Sequence, residues 1–136
     1  DAKTGKKIFN TLHSAIKGKM VRACHDCSEG GLGVTLAEMC FSGGLGAEIN
    51  LSEVIRENKL YRDDFILFSE SNTRFVVEIK SKDKQKFEKM FKGLPIANIG
   101  KVKGDKLVVH GLNGSIVVNE DINKLKESWQ SPLRNP

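Results

Sequence analysis

The segment 30–46, GGLGVTLAEMCFSGGLG, decides how this chain folds, because the run Gly-Gly-Leu-Gly stands at both of its ends. Between the two runs, apolar residues recur at the spacing i, i+4, i+7 and i+8, namely at Leu32, Leu36, Met39 and Cys40. This spacing predicts a mostly buried helix over residues 31–42. Glycine loses more backbone freedom on folding than any other residue, so each run beside the helix needs its own physical reason.

The second glycine run, 43–46, follows the end of the predicted helix. A helix C-terminus leaves carbonyl groups unpaired and favours a left-handed residue, a conformation that glycine adopts without steric cost. We therefore predict that Gly43 or Gly44 caps the helix and that the run turns the chain into a strand over AEINL, 47–51.

The first glycine run opens the helix from a polar loop, which follows a strand predicted to reach about Cys24. The candidate binding residues in this loop are His25, Asp26, Ser28, Glu29, Gly30 and Gly31. Amides of successive glycines at a helix N-terminus favour an anion such as a phosphate. The spacing matches neither the dinucleotide fingerprint nor the P-loop. A tight turn without a ligand, capped by Asp26 or Ser28, accounts for the same residues.

Cys24 and Cys27 form a C-x-x-C pattern in this region. A structural zinc site needs four ligands, and the remaining candidates are scattered along the chain, at His13, Cys40 and His110. A redox dithiol would place its cysteines at the helix start, whereas three other residues intervene here. We interpret both residues as ordinary thiols and predict no metal ligands. An odd count of three cysteines is typical of a reducing compartment.

A second polar cluster, 69–74, lies between two predicted strands, DFILFSE (64–70) and TRFVVEIK (73–80). As structure, it is a polar hairpin turn in which Glu70 and Arg74 pair on the surface. As chemistry, a carboxylate and hydroxyl groups at the end of a strand suit a sugar or a metal. The residues alone leave both interpretations open.

The remaining pattern predicts an α+β fold with one mixed, mainly antiparallel sheet, helices packed on it and a partly ferredoxin-like order. The other predicted helices are 5–18, a short helix over 53–59 capped by Ser52, 83–93, and 121–130 before a frayed tail. Three further strands are predicted over 96–102, 105–111 and 115–120. The strand at 73–80 alternates apolar with polar residues, so we expect one of its faces to be solvated.

Length and composition favour a single globular domain over 1–136, with 39% apolar and 29% charged residues. The sequence contains neither an apolar run of membrane-spanning length nor a recognisable secretory signal, so we expect a cytoplasmic protein without a membrane partner. It begins without Met and inside a helical pattern, so we expect a piece of a longer chain.

The net charge of +5 comes largely from lysines in the helix predicted at 83–93 and just before it. The apolar residues of this helix keep helical spacing and leave the lysines on its outer face. Aromatic side chains for base stacking are not interleaved with these lysines, so we predict a solvated face and no nucleic acid partner. A basic binding module without catalytic function is the alternative interpretation.

The two polar motifs together resemble the phosphoribosylformylglycinamidine synthases of purine biosynthesis. The resemblance rests on His25-Asp26-x-Ser28-Glu29-Gly30-Gly31-Leu32, Leu36-Ala37-Glu38-Met39, Gly43-Gly44-x-Gly46-Ala47-Glu48-Ile49 and Phe68-Ser69-Glu70-Ser71-x-x-Arg74-Phe75. It is strong over about 20–80 and holds in outline elsewhere. Cys27 departs from the small aliphatic residue usual in the family, and Glu29 stands where the family often has Asp.

The resemblance implies the fold of an aminoimidazole ribonucleotide synthase carboxy-terminal domain, at the end of a long synthase chain. The family uses ATP and magnesium, with ammonia from a glutaminase subunit, to convert formylglycinamide ribonucleotide to formylglycinamidine ribonucleotide. Its catalytic histidine and most ATP and magnesium ligands lie in other domains. The resemblance therefore implies no catalytic residue here, an inactive isolated fragment, and partnership with the remaining domains and the glutaminase subunit.

For the site, the resemblance implies two counterparts of segments known in the first half of such synthases. The loop with His25, Asp26, Ser28, Glu29, Gly30 and Gly31 corresponds to a phosphate-side loop, holding a structural nucleotide or nothing in this half. The segment Ser69, Glu70 and Ser71 corresponds to one on the substrate side. A domain of an aminoimidazole ribonucleotide or selenophosphate synthase is the alternative within the superfamily. We expect an isolated fragment to expose an apolar patch and to dimerise.

Overall fold

The computed structural model describes residues 1–57 and 61–134. Its helices are α1 (Ala2–Lys17), α2 (Gly31–Gly43), α3 (Asp63–Phe68), α4 (Lys84–Met90) and α5 (Ile122–Arg134). Its strands are β1 (Val21–Asp26), β2 (Ala47–Asn50), β3 (Phe75–Ile79), β4 (Gly100–Val102), β5 (Lys106–His110) and β6 (Ile116–Asp121). In the described part of the chain, no helix combines the length and the apolar character needed to cross a bilayer.

The strands form two sheets rather than the single sheet expected. β1 pairs antiparallel with β3, and the other four strands lie in the order β4-β2-β5-β6. Within the larger sheet, β2 and β5 are parallel, whereas β4 and β6 each run antiparallel to their neighbour. The predicted fold class, α+β with mixed, mainly antiparallel strands and packed helices, is confirmed.

Two separate hydrophobic clusters hold the fold together. The larger cluster lies between the four-stranded sheet and α2, α3 and α5, and it fully encloses Leu51 and nearly fully encloses Val109. The smaller cluster joins α1 and α4 to the two-stranded sheet through Leu12, Ala15, Met20, Phe87 and Phe91. The predicted lysine-rich helix is confirmed as α4, with its lysines exposed and its phenylalanines in this cluster.

Strand β3 contributes to both clusters. Phe75, Val77 and Ile79 pack against the smaller cluster, and Val76 packs against the larger one. All five residues of β3 are partly buried. The expected solvated face is therefore only partly formed, because Val76 on that face packs against the larger cluster, whereas Oε1 of Glu78 lies 3.3 Å from Nε of the exposed Arg22.

The strand predicted at DFILFSE is instead the short helix α3. Ile66 and Leu67 are buried, whereas Phe65 and Phe68 are 50% and 56% exposed. The helix therefore buries one side of the apolar run and leaves the other side in solvent. Asp63 and Asp64 occupy the first turn, where carboxylates favour the helix N-terminus. A short continuous apolar run has no periodicity that distinguishes a strand from a helix, which explains the wrong assignment.

Three helix boundaries also differ from expectation. α1 begins at Ala2, because Asp1 accepts hydrogen bonds from the amides of Lys3 and Thr4. After β2, only a 3-10 turn over Leu51–Glu53 forms, capped by the Asn50 side chain instead of Ser52. The end of that predicted helix, at 58–59, lies outside the described residues. α5 continues through Pro132 to Arg134, so the tail predicted as frayed is helical that far.

Glu48 joins three strands of the larger sheet on the face away from the larger cluster. Its Oε2 lies 3.2 Å from Lys103 Nζ and 3.4 Å from Lys101 Nζ, and its Oε1 lies 3.4 Å from His110 Nε2. Lys103 and then Lys101 lower the pKa of the Glu48 carboxyl below its usual range.

We expect Glu48→Gln to lower the urea midpoint of unfolding at neutral pH, with a difference from wild type that vanishes in acid. Because the folded-state pKa of Glu48 is lowered, its stabilisation is complete above the unfolded value of about 4.3. It is lost as the pH falls through the lower folded value. Urea titrations between pH 7 and pH 2 measure this, and 1 M salt should shrink the difference by screening. A difference independent of both pH and salt would contradict the prediction.

Candidate functional site at the glycine loop

The structure brings the two polar motifs into direct contact. We call residues 25–31 the glycine loop and residues 69–71 the Ser-Glu-Ser segment. The amide of Gly30 donates to Oε1 of Glu70 at 2.9 Å, although the two residues lie 40 positions apart. Gly31 has a φ of +61°, and a Cβ built there would lie 2.7 Å from the carbonyl oxygen of Ser69. Only glycine lets the backbone after α3 pass this close to the start of α2.

The carboxylate of Glu70 occupies the position at the N-terminus of α2 where an anion was expected. Its charge lies against the positive end of the helix dipole and accepts from Gly30. The amide of Gly31 donates to the carbonyl of Ser28 at 3.0 Å. Both glycine amides are therefore already paired with protein oxygens. The capping by Asp26 or Ser28 side chains is wrong, because Gly30 itself is the cap residue, with a φ of 75°.

Further hydrogen bonds join the glycine loop to α2 and to the residues before β3. Thr35 is buried, and its Oγ1 lies 2.9 Å from the carbonyl oxygen of Gly31 and 3.2 Å from that of Asp26. The amide of Cys27 donates to the carbonyl of Arg74 at 2.9 Å. The loop is thus held by α2 and by the residues just before β3.

The expected surface pair between Glu70 and Arg74 is wrong, because each side chain bonds elsewhere. Arg74 Nη1 donates to the carbonyl oxygen of Ser69 at 3.3 Å and lies 3.4 Å from its hydroxyl. The cluster is also not a hairpin turn, since a helix precedes it. It is a connection between α3 and β3, and the Arg74 side chain at its end bonds back to Ser69 at its start.

His25 contacts α2 through Glu38. Its Nδ1 lies 2.7 Å from the carbonyl oxygen of Asp26, and its Nε2 lies 3.1 Å from Oε2 of Glu38. The indole N–H of Trp129 donates to Oε1 of the same carboxylate at 3.1 Å. These side chains line an open groove of about 420 Å³ between α2 and α5, together with Phe41, Ser42, Lys126 and Gln130.

The sequence analysis missed Glu38 and Trp129 as parts of this site. A signal for Glu38 existed, because it is one of few polar residues on the largely apolar helix α2. Trp129 lies 91 positions further along the chain, so no local pattern could associate it with Glu38.

The solvent-facing rim of the glycine loop is acidic. Asp26, Ser28, Glu29, Glu70 and Ser71 are exposed, whereas Gly31 is buried. The glycine loop and the Ser-Glu-Ser segment thus carry three exposed carboxylates, of Asp26, Glu29 and Glu70, whose charge disfavours a phosphate. Across residues 1–57 and 61–134, no three His, Cys, Asp or Glu side chains come together in a way that could hold a metal ion.

The cysteines have the properties of unreactive thiols. Cys24 is exposed, Cys27 and Cys40 are buried, and all three are free. Burial raises the pKa of Cys27 and, for Cys40, raises the pKa to about 11. Partial desolvation and then the charge of Asp26 raise the pKa of Cys24, although its residue is exposed overall. Because the thiolate is the nucleophile and the metal ligand, raised values suit structural cysteines.

The second glycine run caps α2 as predicted. Gly44 has a φ of +68°, and its amide donates to the carbonyl of Cys40. Gly46 requires glycine for a different reason: a Cβ at this position would lie 2.3 Å from the carbonyl oxygen of Lys106. This glycine lets the chain enter β2 in close contact with the start of β5.

We expect Glu70→Ala to expose the Gly30 amide and to speed its hydrogen exchange about tenfold, because a charged acceptor at a helix N-terminus is lost. The matched control is Glu29→Ala, which removes an exposed carboxylate from the same loop. Amide exchange followed by NMR compares the two variants. Equal exchange at Gly30 in both would show that the contact with Glu70 contributes nothing.

The fold and the loop together place the chain in a class of synthase domains. The chain belongs to the family described as AIR synthase related protein, C-terminal domain, which it matches over residues 1–112. Among curated proteins, phosphoribosylformylglycinamidine synthase subunit PurL of Alkaliphilus metalliredigens is 35% identical over 131 residues. The same subunit of Methanocaldococcus jannaschii is 34% identical over 129 residues. Each alignment covers 95% of this chain and 17% of the relative, so the chain spans about a sixth of their length.

Solved structures show the same fold. PurL of Thermotoga maritima complexed with FGAR superposes with a TM-score of 0.78 at 22% identity, over 89% of this chain and 20% of that one. The hydrogenase maturation protein HypE of E. coli superposes with a TM-score of 0.67 at 19% identity, over 83% of this chain and 39% of that one. Proteins of different function share this fold, so the fold alone does not assign a function.

Proposed function

We propose that this chain is the carboxy-terminal domain of a phosphoribosylformylglycinamidine synthase. The observation that carries the proposal is the 35% identity to a PurL subunit over 95% of the chain. The similarity to HypE, at 19% identity, concerns the fold alone. The glycine loop and the Ser-Glu-Ser segment, which carry the resemblance, lie in contact, as parts of one site do.

The proposed enzyme converts formylglycinamide ribonucleotide, ATP and glutamine-derived ammonia to formylglycinamidine ribonucleotide, ADP and phosphate in the cytoplasm. An amide carbon is a poor electrophile and its oxygen a poor leaving group. Phosphorylation of that oxygen lets it leave as phosphate when ammonia attacks. The ATP and magnesium for this step belong to the complete enzyme, together with its other domains and the glutaminase subunit.

The glycine loop does not fit a phosphate as it stands. Glu70 holds the Gly30 amide, Ser28 holds that of Gly31, and the rim carries three carboxylates. We therefore propose that His25, Asp26, Ser28, Glu29, Gly30 and Gly31 form a degenerate counterpart of a phosphate-side loop. In this proposal Ser69, Glu70 and Ser71 close the loop, and no catalytic step uses residues of this domain.

The domain then contributes architecture rather than chemistry. Tyr61, Phe65 and Phe68 lie in or just before α3, and each is at least half exposed. Phe68 directly precedes the Ser-Glu-Ser segment, and the other synthase domains would cover such an apolar surface. An isolated fragment would use the same surface to dimerise.

A domain exchange tests the proposal. The last sixth of Alkaliphilus metalliredigens PurL is replaced by this chain, and formylglycinamidine ribonucleotide formation is assayed with ATP and ammonia. We expect the chimera to retain activity and the 136-residue chain alone to have none. A matched chimera carrying the HypE segment of the same fold controls for shape. A folded chimera of this chain with no more activity than the HypE control would overturn the proposal.

A further inference from the structure

We propose that helix α5 positions the His25 ring through two contacts, from Trp129 to Glu38 and from Glu38 to His25. We call this pair of contacts the clasp. The clasp acts at the start of the glycine loop, at His25, whereas Glu70 bonds near the end of the loop, at Gly30. The inference rests on the proposed function only for the importance of that loop. The contacts that define the clasp, one hydrogen bond and one close approach of His25 Nε2 to Glu38, stand on their own geometry.

The first link joins α5 to α2. The indole N–H of Trp129 donates to Oε1 of Glu38 at 3.1 Å. An indole nitrogen can only donate and an ionised carboxylate can only accept, so the direction of this bond is fixed. The side chain of Glu38 is 24% exposed and Trp129 is 48% exposed, so the bond lies in the open groove rather than in the core.

The second link joins α2 to the end of β1. Oε2 of Glu38, left available by the bond from Trp129, lies 3.1 Å from Nε2 of His25. The other ring nitrogen, Nδ1, lies 2.7 Å from the carbonyl oxygen of Asp26. Both nitrogens thus lie beside oxygen atoms, and a neutral imidazole, which carries one N–H, donates to one of them. Rotating the ring by 180° would place carbon atoms there instead. The imidazole is therefore held in one orientation.

Aromatic packing supports the indole independently of its hydrogen bond. The rings of Trp129 and Phe41 have centroids 5.7 Å apart and are tilted by 48°. Replacing Trp129 by Phe keeps an aromatic ring beside Phe41 but removes the N–H donor. This substitution isolates the polar link from the packing.

The clasp comes from a part of the chain that the family match does not include. The match ends at residue 112, whereas α5 begins at Ile122. The loop is thereby held at both ends, by His25 through α5 and by Gly30 through Glu70. Trp129 and Glu38 are positioning residues for the loop.

The test measures the His25 ring by long-range ¹H–¹⁵N NMR spectra of the 136-residue chain. We expect Trp129→Phe to move the ring nitrogen signals of His25 and to leave those of the exposed His13 unchanged. Leu133→Ala, at a 76% exposed position of the same helix, is the matched control and should move neither. Unchanged His25 signals in a folded Trp129→Phe chain would overturn the inference.

A second variant covers the case in which Trp129→Phe fails to fold. Glu38→Gln keeps the side-chain size and breaks the charged link to His25, so the His25 signals should shift with it as well. Unmoved signals in that variant also overturn the clasp. The domain exchange assay is independent of these spectra, so an inactive chimera with the expected spectra refutes the proposed function and leaves the clasp standing.

Discussion

Replacing Gly31 by alanine should cost about 3 kcal/mol of the free energy of unfolding, because two penalties coincide at this residue. The φ of +61° is unfavourable for any residue with a Cβ. The added Cβ would also lie within 2.9 Å of the Leu67 carbonyl oxygen and 2.7 Å of the Ser69 carbonyl oxygen. Both contacts are to backbone, which cannot move aside without displacing the end of α3. Guanidinium denaturation followed by circular dichroism measures the loss.

Two other glycines separate the penalties. Gly44 has a φ of +68° and nothing within 4 Å of a built Cβ, so Gly44→Ala should cost only about 1 kcal/mol. Gly43, in the last turn of α2, has open space and no positive φ, so Gly43→Ala should be neutral or stabilising by up to about 1 kcal/mol. If Gly31→Ala costs no more than Gly44→Ala, the close approach of the two motifs is not what requires glycine.

Replacing Leu51 by alanine should cost about 3–4 kcal/mol, since a fully enclosed leucine loses both its transfer free energy and its packing. Leu51 is 0% exposed and lies in the larger cluster, at the 3-10 turn after β2. The total stability of a domain is about 5–15 kcal/mol, so this variant should be near the limit of folding.

Leu45→Ala is the matched control for Leu51→Ala. Leu45 is 53% exposed, and its substitution should change the free energy of unfolding by less than about 1 kcal/mol. Urea titration of both variants gives the comparison. Similar losses at the two leucines would mean that Leu51 is not enclosed as described.

Strong local patterns allowed most of the fold to be predicted from the sequence. The buried helix α2 and its cap at Gly44 follow from helical spacing and glycine chemistry. The strands β2, β3, β5 and β6 lie close to where they are predicted, whereas β1 extends beyond Cys24 to Asp26 and β4 begins only at Gly100. The run DFILFSE forms α3 instead of a strand, because a short apolar run is compatible with either structure. The division into two sheets was not predictable, since it depends on which helices cover β1 and β3.

The candidate site was predictable as two motifs but not as one arrangement. The residue types identified the glycine loop and the Ser-Glu-Ser segment, and their resemblance to a synthase family is confirmed by the family match. That Glu70 itself pairs with Gly30 follows from the path of the chain after α3. Local sequence carries no information on such a contact, nor on the one between Glu38 and Trp129.

The two hydrophobic clusters have a consequence for how the domain opens. Among the described residues, the smaller cluster contains five buried residues and the larger one thirteen, so we expect the smaller one to resist local unfolding less. We expect α1 and α4 to detach together while the four-stranded sheet and α2 stay in place. Helix α4, with its exposed lysines, would then open without breaking the contact between Gly30 and Glu70.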